Sequence, residues 1–226
     1  MKGKLIVIES GTDSSGKETQ SKLLKNRLEN DGYDVIRITF PDYESKSSEL
    51  VKMYLNGDFG ENANDVNPYT ASTFYAVDRF ASYKMKWKNF LDKGGVVIAD
   101  RYTSSNMVHQ AAKFNNENDK NIFLEWLYDL EFNKMGLPKP DETIFLDMDI
   151  KASLWLMSLR KNKINGSNKK DIHESDKKYM TDSYENAKWI AKKYNWNIVK
   201  CTFEENIKSI EEIHEIVYNK VISIVK

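Results

Sequence analysis

Short apolar runs alternate with longer segments of helical periodicity along this chain. Residues 5–8 form an apolar, largely β-branched run that ends at Glu9 and Ser10, and residues 17–30 place Leu24 and Leu28 at helical spacing. A run of the first kind is typical of a buried strand, and the second pattern predicts a helix. The N-terminal segment therefore predicts a strand, a glycine-containing turn and a helix.

The same alternation continues through the rest of the chain. We predict further strands over residues 34–40, 96–99, 143–146 and 197–200, and further helices over residues 45–56, 68–92, 119–134, 150–159, 177–194 and 205–224. Strands separated by helices favour a parallel sheet with helices on both faces. The expected fold is α/β: a three-layer, doubly wound, parallel five-stranded sheet. We find no internal repeat and no linker, so residues 1–226 are expected to form a single domain.

The charged residues cancel, with 34 Lys and Arg against 34 Asp and Glu. A formal net charge of zero argues against a chain that coats a nucleic acid or an anionic bilayer. The single cysteine, Cys201, cannot form an intramolecular disulfide, and no apolar run has the length of a signal-peptide core or a membrane span. We therefore expect a cytoplasmic protein that has neither nucleic acid nor membrane as a partner.

A glycine-rich loop lies between the first predicted strand and the first predicted helix. Residues 11–17 fit the pattern G-x-x-x-x-G-K, in which backbone N–H groups and the helix N-terminus bind phosphates while the lysine reaches the outer ones. The loop predicts a nucleoside-triphosphate site. Its expected residues are Gly11, Thr12, Asp13, Ser14, Ser15, Gly16, Lys17, Glu18 and Thr19.

One position departs from this pattern, because Glu18 stands where a magnesium-binding Ser or Thr normally follows the lysine. Two alternatives stay open: Glu18 points to solvent while Thr19 or Asp13 serves the ion, or the Glu18 carboxylate is itself a ligand. Asp100 closes the predicted strand 96–99. It is a further candidate near the metal, since doubly wound sheets bind ligands at the carboxyl ends of their strands.

A second group of residues suits a base and a phosphate. Arg101 follows Asp100 at the same strand end, and Tyr75 and Arg79 lie four residues apart on one predicted helix, so they share a face. An aromatic ring beside a guanidinium can bind a flat base that carries a phosphate. Taken alone, the pair Tyr75 and Arg79 is more typical of a core ring and a surface charge.

Residues 160–170 carry five basic and no acidic side chains between two predicted helices. One interpretation is a solvated loop. The other is a short lid, residues 160–173, that closes cations over a transferring phosphoryl group and excludes water.

Together these motifs resemble the thymidylate kinases, a family of P-loop nucleoside-monophosphate kinases. The resemblance extends over nearly the whole chain. It rests on the phosphate loop with Asp13, Phe40-Pro-Asp-Tyr43, Phe74-Tyr-Ala-Val-Asp-Arg79, Asp100-Arg-Tyr-Thr-Ser-Ser-Asn106, Gly136-Leu-Pro-Lys-Pro140 and Asp171-Ile-His-Glu174.

The resemblance implies roles at matching positions. Tyr75, or alternatively Phe74, would stack on thymine, and Arg79 would contact the base near the acceptor phosphate. The remaining dTMP-binding positions would be Asp13, Tyr43, Arg101, Ser105, Asn106, Gln110 and Glu174. The groups acting on the transferring phosphoryl would be Lys17, Arg101, Asp13 and a lid cation, Arg160 first and Lys163 second. The candidate metal ligands would be Asp13, Thr19, Asp100 and Glu174.

Some positions differ from the family pattern. Asp42 and Tyr43 follow Phe-Pro where many members carry an arginine, and His109 and His173 stand where relatives often carry tyrosine.

The implied activity is transfer of the γ-phosphoryl of ATP to dTMP with Mg²⁺, a step of dTTP biosynthesis, by a homodimer. Two other hypotheses remain. A deoxynucleoside kinase would need a carboxylate base near the 5′-hydroxyl, for which Glu9 is the candidate. A nucleotide-binding protein with weak or no turnover would follow if Glu18 disrupts the metal site.

Overall fold

The computed structural model describes residues 2–159, 176–204 and 206–226, and at its centre lies a parallel sheet of five strands. The order across the sheet is second, third, first, fourth and fifth strand, and every neighbouring pair is parallel. This confirms the predicted sheet. The strands are β1 (Lys4–Ser10), β2 (Val35–Thr39), β3 (Val96–Asp100), β4 (Glu142–Asp147) and β5 (Asn197–Lys200).

Helices connect the strands and cover the sheet. The α-helices are α1 (Lys17–Asn30), α2 (Glu49–Asn56), α3 (Pro68–Ser82), α4 (Lys88–Asp92), α5 (Thr103–His109), α6 (Glu117–Tyr128), α7 (Ile150–Ser158), α8 (Lys177–Lys193) and α9 (Ile210–Val225). Short 3₁₀ turns occupy Lys46–Ser48 and Ala111–Lys113.

The two faces of the sheet carry separate hydrophobic cores, because successive side chains of a strand point in opposite directions. Ile6 and Ile8 of β1 join a buried cluster with α1 and α9. Leu5 and Val7 join a second cluster that contains Trp87 on the other face. The three-layer arrangement with helices on both sides is therefore confirmed.

The structure corrects three predicted helices. The closing helix begins at Ile210 and not at residue 205, because Ser209 and Glu212 form a reciprocal capping box there. A small hairpin, β6 (Thr202–Phe203) and β7 (Asn206–Ile207), takes up the preceding segment. The helices predicted over 68–92 and 119–134 each contain a π-helical segment, Tyr83–Trp87 and Asp129–Lys134 respectively.

Helix α5 has no counterpart among the predictions, since its polar sequence lacks an apolar period. Among the residues that the structure describes, no helix combines the length and hydropathy needed to cross a bilayer. The predicted lid, residues 160–173, lies outside the described residues.

Candidate active site

A large cavity opens at the carboxyl edge of the sheet, where β1, β2 and β3 end. Its volume is about 780 Å³, within the usual range for small-molecule sites. One end is formed by residues 11–19, which follow β1, and the other by side chains of α3, α5 and the segment after β2. The sequence-predicted residues that line the cavity are Gly11, Thr12, Asp13, Ser14, Ser15, Gly16, Lys17, Glu18, Thr19, Tyr43, Tyr75, Arg79, Asp100, Arg101, Ser105 and Asn106.

The loop between β1 and α1 has a backbone that depends on its glycines. Gly16 precedes α1 with φ of 89° and Ser14 has φ of 57°, so both lie in the left-handed region that favours glycine. Gly11 packs so closely on α8 that an added Cβ would lie 2.9 Å from Ala187 Cβ and 3.1 Å from Tyr184 Cα. The loop is thereby held against α8, directly before the N-terminus of α1, where an anion binds favourably.

Lys17 lies inside this loop and is almost fully buried. Its Nζ donates to Ser10 Oγ at 2.6 Å, to the Thr12 carbonyl at 2.8 Å and to Ser15 Oγ at 3.4 Å. Burial, and secondly the charge of Arg101, lower the pKa of Lys17 to about 8, although Asp13, Glu9 and Asp100 oppose the shift. Among the described residues, the hydrogen bonds of Lys17 end on neutral oxygens. An anion such as a phosphate bound beside Lys17 would therefore favour its charged form.

Two serines outside the glycine motif support the same loop. Ser10 accepts the Lys17 bond and also one from Ser15 Oγ at 2.7 Å. Ser153 of α7 donates to Thr12 Oγ1 at 2.7 Å and to the Asp13 carbonyl. The loop is therefore tied to the start of α7.

Arg101 lines the cavity, and its backbone is strained, with φ of 71°. Its guanidinium forms an ion pair with Asp13, lies 3.1 Å from His109 Nε2 and lies 3.8 Å from Glu9. Burial alone would lower the pKa of Arg101, but Asp13, Glu9 and Asp100 outweigh burial and raise it. Arg101 is a fixed cation with fixed acceptors, positioned between the two ends of the cavity.

The acidic residues proposed for the metal also have arginine partners. Asp100 Oδ2 accepts from Arg37 Nη2 at 2.7 Å, and this pair is nearly buried. Within the described ranges, no group of three or more His, Cys, Asp or Glu side chains could hold a metal ion. Mg²⁺ is usually held by one or two carboxylates together with substrate phosphates, and two carboxylates, those of Asp13 and Asp100, line this cavity.

Glu18 and Thr19, the two residues after Lys17, have different surroundings at the start of α1. The Glu18 carboxylate forms an ion pair at 2.8 Å with Lys22, one turn further along α1, and its side chain is half exposed. Thr19 is exposed at the cavity rim. Glu18 also lines the cavity, so its carboxylate has a partner on α1 and lies beside the phosphate loop.

The two aromatic candidates on α3 have different surroundings. Tyr75 lines the cavity, with its ring 6.4 Å from that of Tyr54. Phe74 is turned toward Phe59, at a ring distance of 5.6 Å, and does not line the cavity. The geometry therefore favours Tyr75 as the ring that can stack on a base.

Asn106 on α5 and Gln110, the residue directly after α5, also differ in their access to the cavity. Asn106 lines the cavity while its Nδ2 donates to the Ser72 carbonyl at 3.2 Å. Gln110 is buried one turn further on and does not contribute to the lining. Tyr43 lies in the segment after β2, which Asp78 of α3 holds by accepting from the Asp42 N–H at 2.8 Å.

Arg79 reaches the cavity from a fully buried ion pair. Its Nε donates to Glu131 Oε2 at 2.7 Å and its Nη2 to Glu131 Oε1 at 2.6 Å. Nη1 lies 3.4 Å from the Tyr102 carbonyl. Arg79 is 1% and Glu131 0% exposed, so the arginine offers only one edge to the cavity.

Glu9, the candidate base of a nucleoside kinase, is fully buried and does not line the cavity. Its carboxylate accepts from the Ser10 N–H at 2.9 Å, from Ser104 Oγ at 2.8 Å and from Ser105 Oγ at 2.6 Å. A carboxylate engaged in this way is a poor base for a hydroxyl in the cavity.

Several residues of the site were not anticipated, and two of them had a visible signal. Arg37 is a charge inside an apolar strand, and Glu131 follows the buried Leu124 and Leu127 at helical spacing. Ser153 has no comparable signal. The remaining predicted positions, Arg160, Lys163, Asp171, His173 and Glu174, lie outside the described residues.

A phosphate loop between a central strand and a helix, with a ring, an amide and two arginines further along the same cavity, defines a P-loop kinase for a small phosphorylated acceptor. Comparison with known proteins gives the family. A model of the family described as thymidylate kinase matches residues 8–215. The chain belongs to the thymidylate kinase family, which confirms the resemblance.

Individual relatives agree with this assignment. The chain is 29% identical to a probable thymidylate kinase of Pyrococcus abyssi over 95% of its length and 94% of the relative. It is 26% identical to human thymidylate kinase over 95% of its length and 87% of the relative. The solved structure of thymidylate kinase from Candida albicans shares the fold, with a TM-score of 0.72 and 24% identity over 98% of this chain and 92% of that one.

Proposed function

We propose that the protein transfers the γ-phosphoryl group of ATP to dTMP, giving ADP and dTDP. The observation that carries this proposal is one cavity with a phosphate loop at one end and Tyr75, Asn106 and Arg79 at the other. Membership of the thymidylate kinase family supports the choice of substrates. The loop would hold the ATP phosphates. The other end of the cavity, with Tyr75, Asn106 and Arg79, would hold thymine and is called the base pocket below.

The reaction needs charge compensation more than proton transfer. The acceptor is a phosphate oxygen that is already anionic at neutral pH, so no general base is required. Two unit charges about 4 Å apart repel by ~4 kcal/mol at an effective dielectric constant of about 20. Lys17 at the donor end and Arg101 at the centre would offset this repulsion, because both line the cavity.

Arg37 is a third cation that lines the cavity, in addition to Lys17 and Arg101. It lines the cavity from β2 and is held by Asp100 and by Ser21 Oγ at 2.7 Å. We propose that Arg37 and Arg101 supply the acceptor-phosphate contacts for which Asp42 and Tyr43 carry no cation. Arg160, with Lys163 as second choice, stays the predicted cation of the lid.

Mg²⁺ is part of the proposal. Asp13 and Asp100 would hold it together with the ATP phosphates, and Thr19 is the hydroxyl available at the rim. When bound, the ion would neutralise phosphate charge and orient the transferring group. We further propose a homodimer and a cytoplasmic location, the latter supported by a lone cysteine, Cys201, that is buried.

The burial of Glu9 bears on the nucleoside kinase alternative. That reaction requires a base within hydrogen-bonding reach of the 5′-hydroxyl, whereas the Glu9 carboxylate is occupied by two serine hydroxyls and a backbone N–H. The structure therefore offers the phosphate acceptor a better site than the hydroxyl acceptor.

An acceptor panel tests the proposal. ADP release is measured with dTMP, dUMP and thymidine while Mg²⁺ is titrated, with the whole chain as enzyme. We expect turnover with dTMP, none with thymidine, and a preference over dUMP, since one methyl group in an apolar pocket contributes ~1–3 kcal/mol. Turnover of thymidine alone, or ATP binding without ADP formation for every acceptor, would refute it.

A further inference from the structure

Glu131 joins three segments of the base pocket at one carboxylate. Its Oε1 accepts from Arg79 Nη2, and its Oε2 accepts both from Arg79 Nε and from Thr103 Oγ1, the latter at 2.7 Å. Arg79 belongs to α3, and Thr103 is the first residue of α5, two positions after Arg101. Glu131 itself lies on the π-helical segment that follows α6.

The two hydrogen bonds between Glu131 and Arg79 fix the direction in which the Arg79 guanidinium points. A bidentate carboxylate occupies the Nε–Nη2 edge of the guanidinium, so the plane and the remaining Nη1 edge of Arg79 are fixed. Arg79 lines the cavity even though its side chain is almost fully buried. The polar edge that it presents to a ligand is therefore set by Glu131 together with the Tyr102 carbonyl, which accepts from Nη1 at 3.4 Å.

Both helices carrying the pair depart from regular α geometry nearby. The π-helical segment with Glu131 covers Asp129–Lys134, and another, Tyr83–Trp87, directly follows α3. Such segments are frequent at functional sites. A π-helical segment also changes the direction of the side chains that it carries. Here Glu131 lies at the position where the buried stripe of Leu124 and Leu127 would be expected to continue with an apolar residue.

Stability alone gives a weak reason for this arrangement. A fully buried ion pair often contributes no more to stability than apolar side chains of the same volume would. Placing a charged pair at a core position is therefore better explained by the orientation that it gives to Arg79.

We propose that Glu131 is a positioning residue for acceptor recognition: it holds Arg79 in the orientation that binds the nucleotide base and couples it to Thr103 at the start of α5. The inference rests on the proposed function, because it takes the base end of the cavity as the dTMP site. Glu131 does not line the cavity and acts only through Arg79 and Thr103.

The test compares substrate constants in a double-mutant cycle. Glu131→Gln keeps the shape of the side chain and removes its charge, and we expect the KM for dTMP to rise about tenfold while the KM for ATP stays unchanged. Arg79→Gln should raise the KM for dTMP at least as much. The double variant should be no worse than Arg79→Gln alone, since Glu131 would have nothing left to orient.

Thr103→Val extends the test to a variant that leaves the ion pair in place. It removes one donor to Glu131 with little change in volume, and we expect a smaller rise in the KM for dTMP, about threefold, at unchanged KM for ATP. This variant decides the matter if Glu131→Gln does not fold. Binding of dTMP without ATP is measured by calorimetry as a second readout.

The outcomes separate cleanly. An unchanged dTMP constant in folded Glu131→Gln, additive effects in the double variant, or equal rises for dTMP and ATP would each overturn the inference. An unchanged KM for dTMP in Thr103→Val would also overturn the inference. If the wild-type protein makes no dTDP, the proposed function fails, and the calorimetric dTMP constants still report on Glu131.

Discussion

The phosphate loop is built from consecutive residues, whereas the base pocket is assembled from distant ones. Lys17 is held by Ser10, Thr12 and Ser15, all within seven positions of it. Arg79, in contrast, depends on Glu131, 52 residues further along the chain. The donor end of the cavity is thus largely specified by its own motif, and the acceptor end depends on how α3, α5 and the segment after α6 pack together.

This difference predicts how the two ends respond to substitution. Changes in the loop should affect turnover with any acceptor. Changes in the base pocket should affect the constants for dTMP and leave those for ATP unaltered.

The largest effect is expected at the cavity's cations. Lys17→Met and Arg101→Ala should each lower kcat by about 1,000-fold or more with the fold intact, because each removes a positive charge beside the transferring phosphoryl group. Steady-state kinetics with dTMP measures the loss, and circular dichroism checks the fold. Lys25→Met on the same helix, where Lys25 pairs with Glu29 at the surface, is the matched control. Wild-type turnover in either site variant would remove that residue from the reaction.

A smaller effect is expected from the aromatic wall of the base pocket. Tyr75→Leu should raise the KM for dTMP about tenfold, since stacking on a base contributes roughly 1–3 kcal/mol. The KM for ATP should stay constant. The matched change Phe74→Leu should mainly lower the melting temperature, because Phe74 packs against Phe59 and Tyr54. If Phe74→Leu shifted the dTMP constant more than Tyr75→Leu, the stacking role would pass to Phe74.

The smallest effect is a proton linkage at the donor end. Lys17 has a pKa near 8 in the free protein, so above about pH 8 it is mostly neutral, and bound phosphates favour its charged form. When ATP binds, Lys17 should therefore take up most of one proton at about pH 9 and almost none at about pH 6.5. Calorimetry in buffers of different ionisation enthalpy measures this uptake.

The control for this linkage is a second lysine with a similar pKa. Burial also lowers the pKa of Lys113 to about 8, but Lys113 contacts Tyr54 and the Val66 carbonyl and lies away from the loop. Lys17→Met should abolish the uptake, and Lys113→Met should preserve it. The opposite result would place the titrating group elsewhere.

The lowered pKa of Lys17 also determines how its contribution to the free energy of unfolding changes with pH. Its pKa is lowered from 10.5 in the unfolded chain to about 8 in the folded one, so between these values the unfolded state binds more protons. The Lys17 contribution to the free energy of unfolding should therefore rise with pH from about 8 to 10.5.

The contrast between the two ends also explains what the sequence could predict. The strands, the order of strand, loop and helix, and the phosphate loop follow from local periodicity and a contiguous motif. The pairing of Ser153 with Thr12 spans 141 positions, and that of Arg79 with Glu131 spans 52, so neither leaves a local pattern. The sequence predicts the start of the last helix at residue 205, whereas α9 begins at Ile210 after the Ser209 cap. The residues of the β6–β7 hairpin are also compatible with a helix, so the pattern does not reveal the boundary.

The most direct test of the account follows the phosphoryl group itself. The protein is given ATP labelled in its γ-phosphoryl, Mg²⁺, and either dTMP or thymidine, and the labelled products are separated. We predict label in dTDP from dTMP and no labelled product from thymidine. Label released only as inorganic phosphate, or incorporated into thymidine and not into dTMP, would contradict the claim that the cavity joins an ATP phosphate site to a dTMP site.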